Sequence, residues 1–420
     1  MNAEDTKRLR ELAKELAEIA ADPIQERKRK MWTDMNDLKA VRPLVHVRDY
    51  PYYLLDYKDE MTTTIEDPFL RDIEQILLLR IYEWNHLRLD RVIEPFIECP
   101  VVFSDSEFGL GGYVSRLGNV DKDYYNKAII WDKVIENPDD IKKIKNPVVE
   151  YDEKATMERL NLLSEVFHGI MPVKLFGRNN FRCTPMDDIV VWMGIDEAMT
   201  VMMEDPDFMH ALLDRYMEVL ISRIKQYEAL GILSSNNYFR DVGANCSGYT
   251  SQLPPPTENG IGARICDIWG ESADQIMTAV SPAMTNEFAF EHEKIWAQQF
   301  KLYSYGCCER LDNKLNLVTT AFPNLRKISS SPYSNLDIAA EQLGNRYVIC
   351  FKPNSTLLAG GTPQFDLLRE EFIHACKLAE KYKLNLVFNM KTMVTLDGEP
   401  QRLWKWCDMA MEIIRAHFGE

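Results

Sequence analysis

Two thiols and a carboxylate stand side by side at Cys307, Cys308 and Glu309, where the run Leu302–Arg310 breaks off after Gly306. The residues before them, Leu-Tyr-Ser-Tyr, are apolar and β-leaning. A strand stopping there delivers soft and hard ligand atoms to one point, which suits a zinc ion at the mouth of a barrel. The same residues also read as two buried cysteines beside a solvated glutamate, because free cysteine is among the most buried residue types. Strand alternation puts Cys307 and Glu309 on one side, or Gly306 and Cys308, and leaves open which thiol faces inward. Cys350, in Val348-Ile349-Cys350-Phe351, reads as an apolar filler or a further ligand. His-Glu-x-x-His, paired Cys-x-x-Cys and zinc-finger spacings do not occur.

The elements that must position these residues follow from periodicity. Residues 4–21 predict an amphipathic helix, with Leu9, Leu12, Ala13, Leu16, Ile19 and Ala20 on one face and Asp22-Pro23 at its end. A basic run, Arg27–Lys30, follows as a solvated face or a contact with another subunit. Phe69–Asp90 is a second helical pattern, so residues 1–95 read as a helical N-terminal extension that caps a barrel or mediates association. From Glu98 onward, eight short β-branched runs alternate with helical ones: Pro100–Ser104, Pro172–Gly177, Tyr238–Val242, Ile265–Gly270, Leu302–Gly306, Lys327–Ser331, Tyr347–Phe351 and Leu384–Asn389. The clearest helices are Phe208–Leu230, opened by Asp205-Pro206 and stopped by Gly231, and Gln364–Lys383. Alternating β and α with nearly all-apolar strands predicts a parallel sheet closed into a single (β/α)8 TIM-type barrel over residues 96–420. An open doubly wound sheet is the alternative, but no Gly-x-Gly-x-x-Gly turn follows a strand. The glycine-rich Phe108–Gly112 opens no helix.

In such a barrel the chemistry sits at the C-terminal ends of the strands. The runs end in Arg178 and Asn179, in Asp241 and Asn245, in Glu271, in Cys307-Cys308-Glu309, in Ser331-Pro332-Tyr333, in Lys352 and in Lys391. Burying Glu271, Glu309, Lys352 and Lys391 together without partners is costly. Either a metal or charged ligand offsets that cost, or the groups form salt bridges across the barrel top. Tyr238, Tyr303, Tyr305 and Tyr333 read as core residues or as the lining of an aromatic pocket. His46, in Val45-His46-Val47, reads as a core or rim residue.

The bulk numbers narrow the partners. The chain has 420 residues, 46% of them hydrophobic, which is enough for one large core. A formal net charge of -16 disfavours nucleic acid and anionic membrane surfaces. Nine irregularly spaced cysteines form no disulfide framework and point to a reducing cytoplasm. The N-terminus shows no signal-peptide pattern, and no apolar run is long enough to span a bilayer.

The order of elements resembles the uroporphyrinogen decarboxylase superfamily. The resemblance rests on Asp205-Pro206, Gly231, Ser281-Pro282, Cys307-Cys308-Glu309 and Gly361-Thr362-Pro363 before a long helix, and covers residues 98–415. It implies a (β/α)8 barrel and either decarboxylation or zinc-dependent methyl transfer to a corrinoid. The decarboxylases' Met-Arg-Gln-Ala-Gly-Arg-Tyr stretch is absent, which argues against a porphyrinogen substrate. The thiol-methylating branch carries His-x-Cys on the strand matching Leu302–Cys308, and a late Gly-Cys-Gly where Met390-Lys391 stands here. The altered set is more similar to the O-demethylase branch.

The resemblance thus implies a zinc-dependent enzyme moving a methyl group from a methoxylated, aromatic substrate to the Co(I) corrinoid of a partner protein. Cys307, Cys308, Glu271 and Glu309 would hold the metal. Glu271, Glu309 and Lys352 would act in catalysis, while Arg178, Asp241, Asn245, Tyr305, Tyr333 and Lys391 would contact substrate. The alternatives are a metal-free decarboxylase or lyase using Asp105, Asp241 and a lysine, and a non-catalytic barrel subunit.

Overall fold

The computed structural model describes residues 3–48, 50, 52–110, 114–116, 129–131 and 133–419. Gly111 and Gly112 of the glycine-rich stretch lie outside the described residues. The chain is mixed α/β. Its strands are β1 (Leu44–Val47), β2 (Ile97–Pro100), β3 (Phe103–Asp105), β4 (Val114–Arg116), β5 (Ile129–Trp131), β6 (Val149–Tyr151), β7 (Val173–Phe176), β8 (Trp269–Ser272), β9 (Leu302–Tyr305), β10 (Leu325–Ser330), β11 (Val348–Phe351) and β12 (Asn385–Met390). Six of them form one parallel sheet in the order β1-β12-β11-β10-β9-β8. β2 and β7 form a separate parallel pair, and β3–β6 and β4–β5 are antiparallel pairs.

Helices cover the sheet because its strands are apolar on both faces. β11 and β12 are buried along their whole length. Phe388 on β12 meets Phe372 of the helix Phe365–Tyr382 at 4.6 Å between ring centres. Each such buried ring stabilises the packing by roughly 2–3 kcal/mol. The helix Pro206–Ala229 starts where its sequence signals place it. Asp205 accepts from the Phe208 backbone N–H at 3.2 Å, with Pro206 at the first helical position. Of the N-terminal helices, α1 (Ala3–Ala20) and α3 (Pro68–His86) correspond to the two periodic runs read from the sequence, while α2 (Ile24–Asn36) forms where only the basic run Arg27–Lys30 was read.

Residues 1–95 nevertheless do not stand apart from the sheet. Leu44–Val47 lies inside that segment and pairs in parallel with β12, Leu44 opposite Val387 and Val47 opposite Met390. Asp90 covers the strand's other edge: its carboxylate accepts from the Val45 N–H at 2.8 Å, and its N–H donates to the Val45 carbonyl at 3.0 Å. Four buried residues between Pro43 and Arg48 are too few to show a period.

The run Tyr238–Val242 forms no strand. Its backbone turns on itself, with Arg240 N–H donating to the Tyr238 carbonyl at 2.7 Å, and its one ladder contact is the antiparallel bridge Asp241–Ser247. Leu233 instead bridges Arg178 in parallel, just past β7. Asn236 continues this line, its amide nitrogen donating to the Asn179 carbonyl at 3.1 Å and to the Trp269 carbonyl at 3.2 Å. The run Ile265–Gly270 divides into a 3-10 turn, Ile265–Asp267, and then β8. The run Pro100–Ser104 divides between β2 and β3. Among the described residues no helix is long and apolar enough to cross a membrane.

Candidate active site

A cavity of about 510 Å³ opens over the C-terminal ends of β7, β8, β9 and β12. Glu271 and Cys307 face it together with Arg48, Arg178, Arg182 and Lys391. Four cations therefore surround one carboxyl and one thiol.

Gly306 decides which thiol faces the cavity. Tyr303 and Tyr305 point away from the cavity into the helices, where Tyr305 stacks on Phe322 at 5.3 Å and meets Phe290 edge-on at 5.4 Å. Strict alternation would send Cys307 the same way. Gly306 has φ +97, and a Cβ there would lie 2.9 Å from the Ser329 Cβ. The chain turns at that glycine, and Cys307 rather than Cys308 lines the cavity.

Cys307 is held as a thiolate. Lys391 Nζ donates to its sulfur at 2.8 Å, and the Cys308 sulfur lies 3.6 Å away. The hydrogen bond from Cys308, with the charges of Lys352 and Lys391, outweighs burial and brings Cys307 down to about 4. Cys308, on the donating side of that bond, is pushed well above the usual thiol range. Lys352 is 2% exposed and does not reach the cavity; it donates to the Cys307 carbonyl and the Ser329 hydroxyl. Its place is beneath the site, where it fixes the Cys307 backbone.

Glu271 carries the opposite perturbation. Burial and the neighbouring Cys307 charge push its carboxyl up to about 7, against the pull of Arg48, Arg182 and Lys391. Gly243 makes room for it: a Cβ there, at φ +58, would lie 2.1 Å from Glu271 Oε2. Arg48 is tied into the same loop. It donates to the Gly243 carbonyl, to the Asn245 carbonyl at 2.8 Å, and lies 3.8 Å from Asp241.

Several expected contacts fall elsewhere. Asp241 is 2.8 Å from His46 Nε2, and Arg48 and His46 outweigh its burial and hold it far below the usual carboxylate range. It positions Arg48 and is not part of the cavity wall. Asn245 is buried and donates to the Ser304 hydroxyl at 2.7 Å. Tyr305 belongs to the aromatic core, and Tyr333 is 66% exposed on the surface. Asp105 is paired with Arg223 at 2.6 Å and with the Tyr227 hydroxyl at 2.7 Å. Glu309 turns back on its own turn and accepts from the Cys307 N–H at 2.8 Å. Its other oxygen is buried without a partner, and burial followed by the Cys307 charge raises it to about 7.

The expected zinc ligands therefore do not converge. Glu309 is committed to a backbone N–H, and Cys307 faces an ammonium group. Among the described residues no three His, Cys, Asp or Glu side chains gather closely enough to hold a metal ion. A divalent cation beside Cys307 would also meet the charges of Lys352 and Lys391 at short range. The donor set does not fit zinc.

Two site residues were missed in the sequence. Arg48 follows a strand too short to be read, although the β-branched pair Val45 and Val47 around His46 was its signal. Arg182 lies beyond the run ending at Arg178 and is oriented by the Thr184 hydroxyl at 2.6 Å.

No family model matches the chain. No curated protein matches it by sequence. Among solved structures, a methyltransferase from Methanosarcina mazei superposes with a TM-score of 0.46 at 10% identity, covering 91% of this chain and 98% of its own. Similarity at that level is a loose likeness and does not bear on the chemistry.

Proposed function

We propose that the chain is a metal-free methyl-transferring enzyme acting on a small anionic methyl ether. The reading is carried by one observation: a carboxyl raised by burial to about 7 faces a cavity whose other charged groups are Arg48, Arg178, Arg182, Lys391 and the Cys307 thiolate. An ether oxygen leaves poorly as an anion, and a proton delivered as the C–O bond breaks removes that difficulty. Glu271, protonated below about 7, is the donor. Arg178, Arg182 and Lys391 hold the negative charge of a substrate carboxylate. The Cys307 thiolate anchors the Lys391 ammonium, and Lys352 fixes the Cys307 backbone from beneath. The methyl group as the transferred unit rests on the family resemblance at Cys307-Cys308-Glu309 and Gly361-Thr362-Pro363. So does its acceptor, a Co(I) corrinoid on a partner protein reaching the open mouth. The carbon leaves the ether oxygen for that acceptor, and the oxygen leaves with the Glu271 proton. The six-stranded sheet, the β2–β7 pair, the Leu233 bridge and the Asn236 stitch support a barrel around this cavity, with Leu44–Val47 as a segment beyond the eight runs read from the sequence.

The four cations also favour a second reading, decarboxylation of a carboxylated substrate, with Lys391 neutralising the developing charge. The open cavity weighs against a non-catalytic subunit. Incubation of the full chain with methoxybenzoates and chemically reduced cob(I)alamin separates the readings. Methyl transfer gives the free phenol and methylcobalamin, and is lost in Glu271→Gln. Release of CO2 without methylcobalamin supports decarboxylation. Turnover of methoxybenzoates by Glu271→Gln at the wild-type rate overturns the assignment of the proton donor.

A further inference from the structure

A second cavity, of about 270 Å³, lies between α2, α3, the segment after α3 and the C-terminal helix Gln401–Phe418. It shares no lining residue with the candidate active site. The two lie at opposite ends of β1, with Arg42 just before the strand and Arg48 just after it. Its charge is the reverse of the chain's. The whole sequence has 65 acidic against 49 basic residues. Six basic side chains and two acidic ones line this cavity.

Both acids are already committed. Asp90 accepts from Arg42 at 2.8 and 2.9 Å and from the Val45 N–H at 2.8 Å. Glu83 accepts from Arg80 at 2.7 Å, lies 2.9 Å from Arg91, and also accepts from the Tyr50 hydroxyl. Arg42 and Arg91 are thereby compensated inside the protein. Arg88 faces Asp408 at 3.3 Å on the exposed rim. Lys28 and Arg415 reach the cavity from different helices, and among the described residues neither pairs with a carboxylate. Lys28 lies 5.2 Å from the centre of the Trp84 ring, and burial lowers its pKa. Asp90 and Asp22 act on the half-buried Lys28 ammonium only at a distance, and an anion that enters stabilises it further.

We infer that this cavity is a binding site for a small polyanion, held between Lys28 and Arg415. Its volume admits a compact molecule and no macromolecular segment. Arg88 at the rim adds a third contact when it leaves Asp408. Bound there, the anion ties α2 to the C-terminal helix across the start of β1. Phosphate and carboxylate groups share the required chemistry, so both are tested.

The experiment is calorimetric titration of the full chain with inorganic pyrophosphate and, separately, with citrate. Saturable, salt-sensitive binding of either supports the site, and the tighter of the two names the ligand chemistry. Lys28→Glu and Arg415→Glu each weaken it roughly tenfold or more. Arg182→Glu, in the wall of the other cavity, leaves it unchanged, which separates this site from the cations there. Thermal unfolding of each variant without ligand confirms folding, and a ligand-dependent rise in Tm present in wild type and absent in the variants is the second readout. No saturable binding of either anion, or binding that survives both charge reversals, overturns the inference.

Discussion

Replacing Glu271 by Gln should stabilise the protein in a pH-dependent way while abolishing turnover. The carboxyl is raised from 4.5 to about 7, so the folded chain binds its proton more tightly than the unfolded chain does. Below the unfolded value both states are protonated and the group costs nothing. Between the two values the unfolded chain ionises while the folded chain keeps its proton, so stability falls until, above about 7, the native state too carries the charge and the loss is complete. Full burial would make that cost roughly 3 kcal/mol. Water in the cavity screens part of it, which leaves about 1–2 kcal/mol. Gln keeps the shape and cannot ionise. Urea unfolding should therefore show Glu271→Gln close to wild type at pH 5 and about 1–2 kcal/mol more stable at pH 8. Over the same range, wild-type kcat/KM should fall roughly tenfold per pH unit above about 7, because the proton donor is lost. The variant should be about 10²- to 10⁴-fold slower at pH 6. An equal stability difference at both pH values would show that the carboxyl is not held near neutrality, and the proton-donor role would fall with it.

Further outcomes follow from the same geometry. Cys307 should be the fast-alkylating thiol at pH 6, and Lys391→Met should slow its reaction with iodoacetamide at least severalfold; an unchanged rate, measured by peptide mass spectrometry, would remove Lys391 as its counter-ion. Purified chain should hold zinc well below one equivalent, and dialysis against EDTA should leave its unfolding curve and turnover unaltered; stoichiometric zinc by elemental analysis would restore the metal reading. Gly243→Ala should displace the Glu271 carboxylate and add backbone strain of about 1 kcal/mol or more, so that turnover falls nearly as far as in Glu271→Gln. A Gly243→Ala enzyme with the wild-type pH profile would contradict that placement.

The long helices and the five C-terminal strands of the main sheet were legible because their periods run long enough to be counted, or because Gly and Pro bracket them. The strand at Leu44–Val47 was not, since four residues buried on both faces carry no alternation. Tyr238–Val242 has strand composition, yet its polar partners Glu94 and Glu98 draw it into a loop. At the site, residue type picked out Cys307, Glu271, Arg178 and Lys391. It could not show that Gly306 reverses the alternation, that Glu309 bonds to its own turn, or that Asp241 is taken up by His46 and Arg48. Those outcomes depend on backbone angles and on neighbours distant in sequence. The substitution at Met390-Lys391 was visible as a departure from the resembling family, and its consequence, an ammonium beside the thiol, needed coordinates.

The pairing of Leu44–Val47 with Asn385–Met390 couples the order of synthesis to the order of folding. The first strand of the sheet emerges from the ribosome hundreds of residues before its ladder partner. Until the C-terminal segment is released, the Arg48 N–H lacks its acceptor, the Met390 carbonyl at 2.9 Å, and the wall lacks Lys391. Truncation anywhere before β12 therefore leaves an early apolar segment unpaired, exposed to chaperones and proteases.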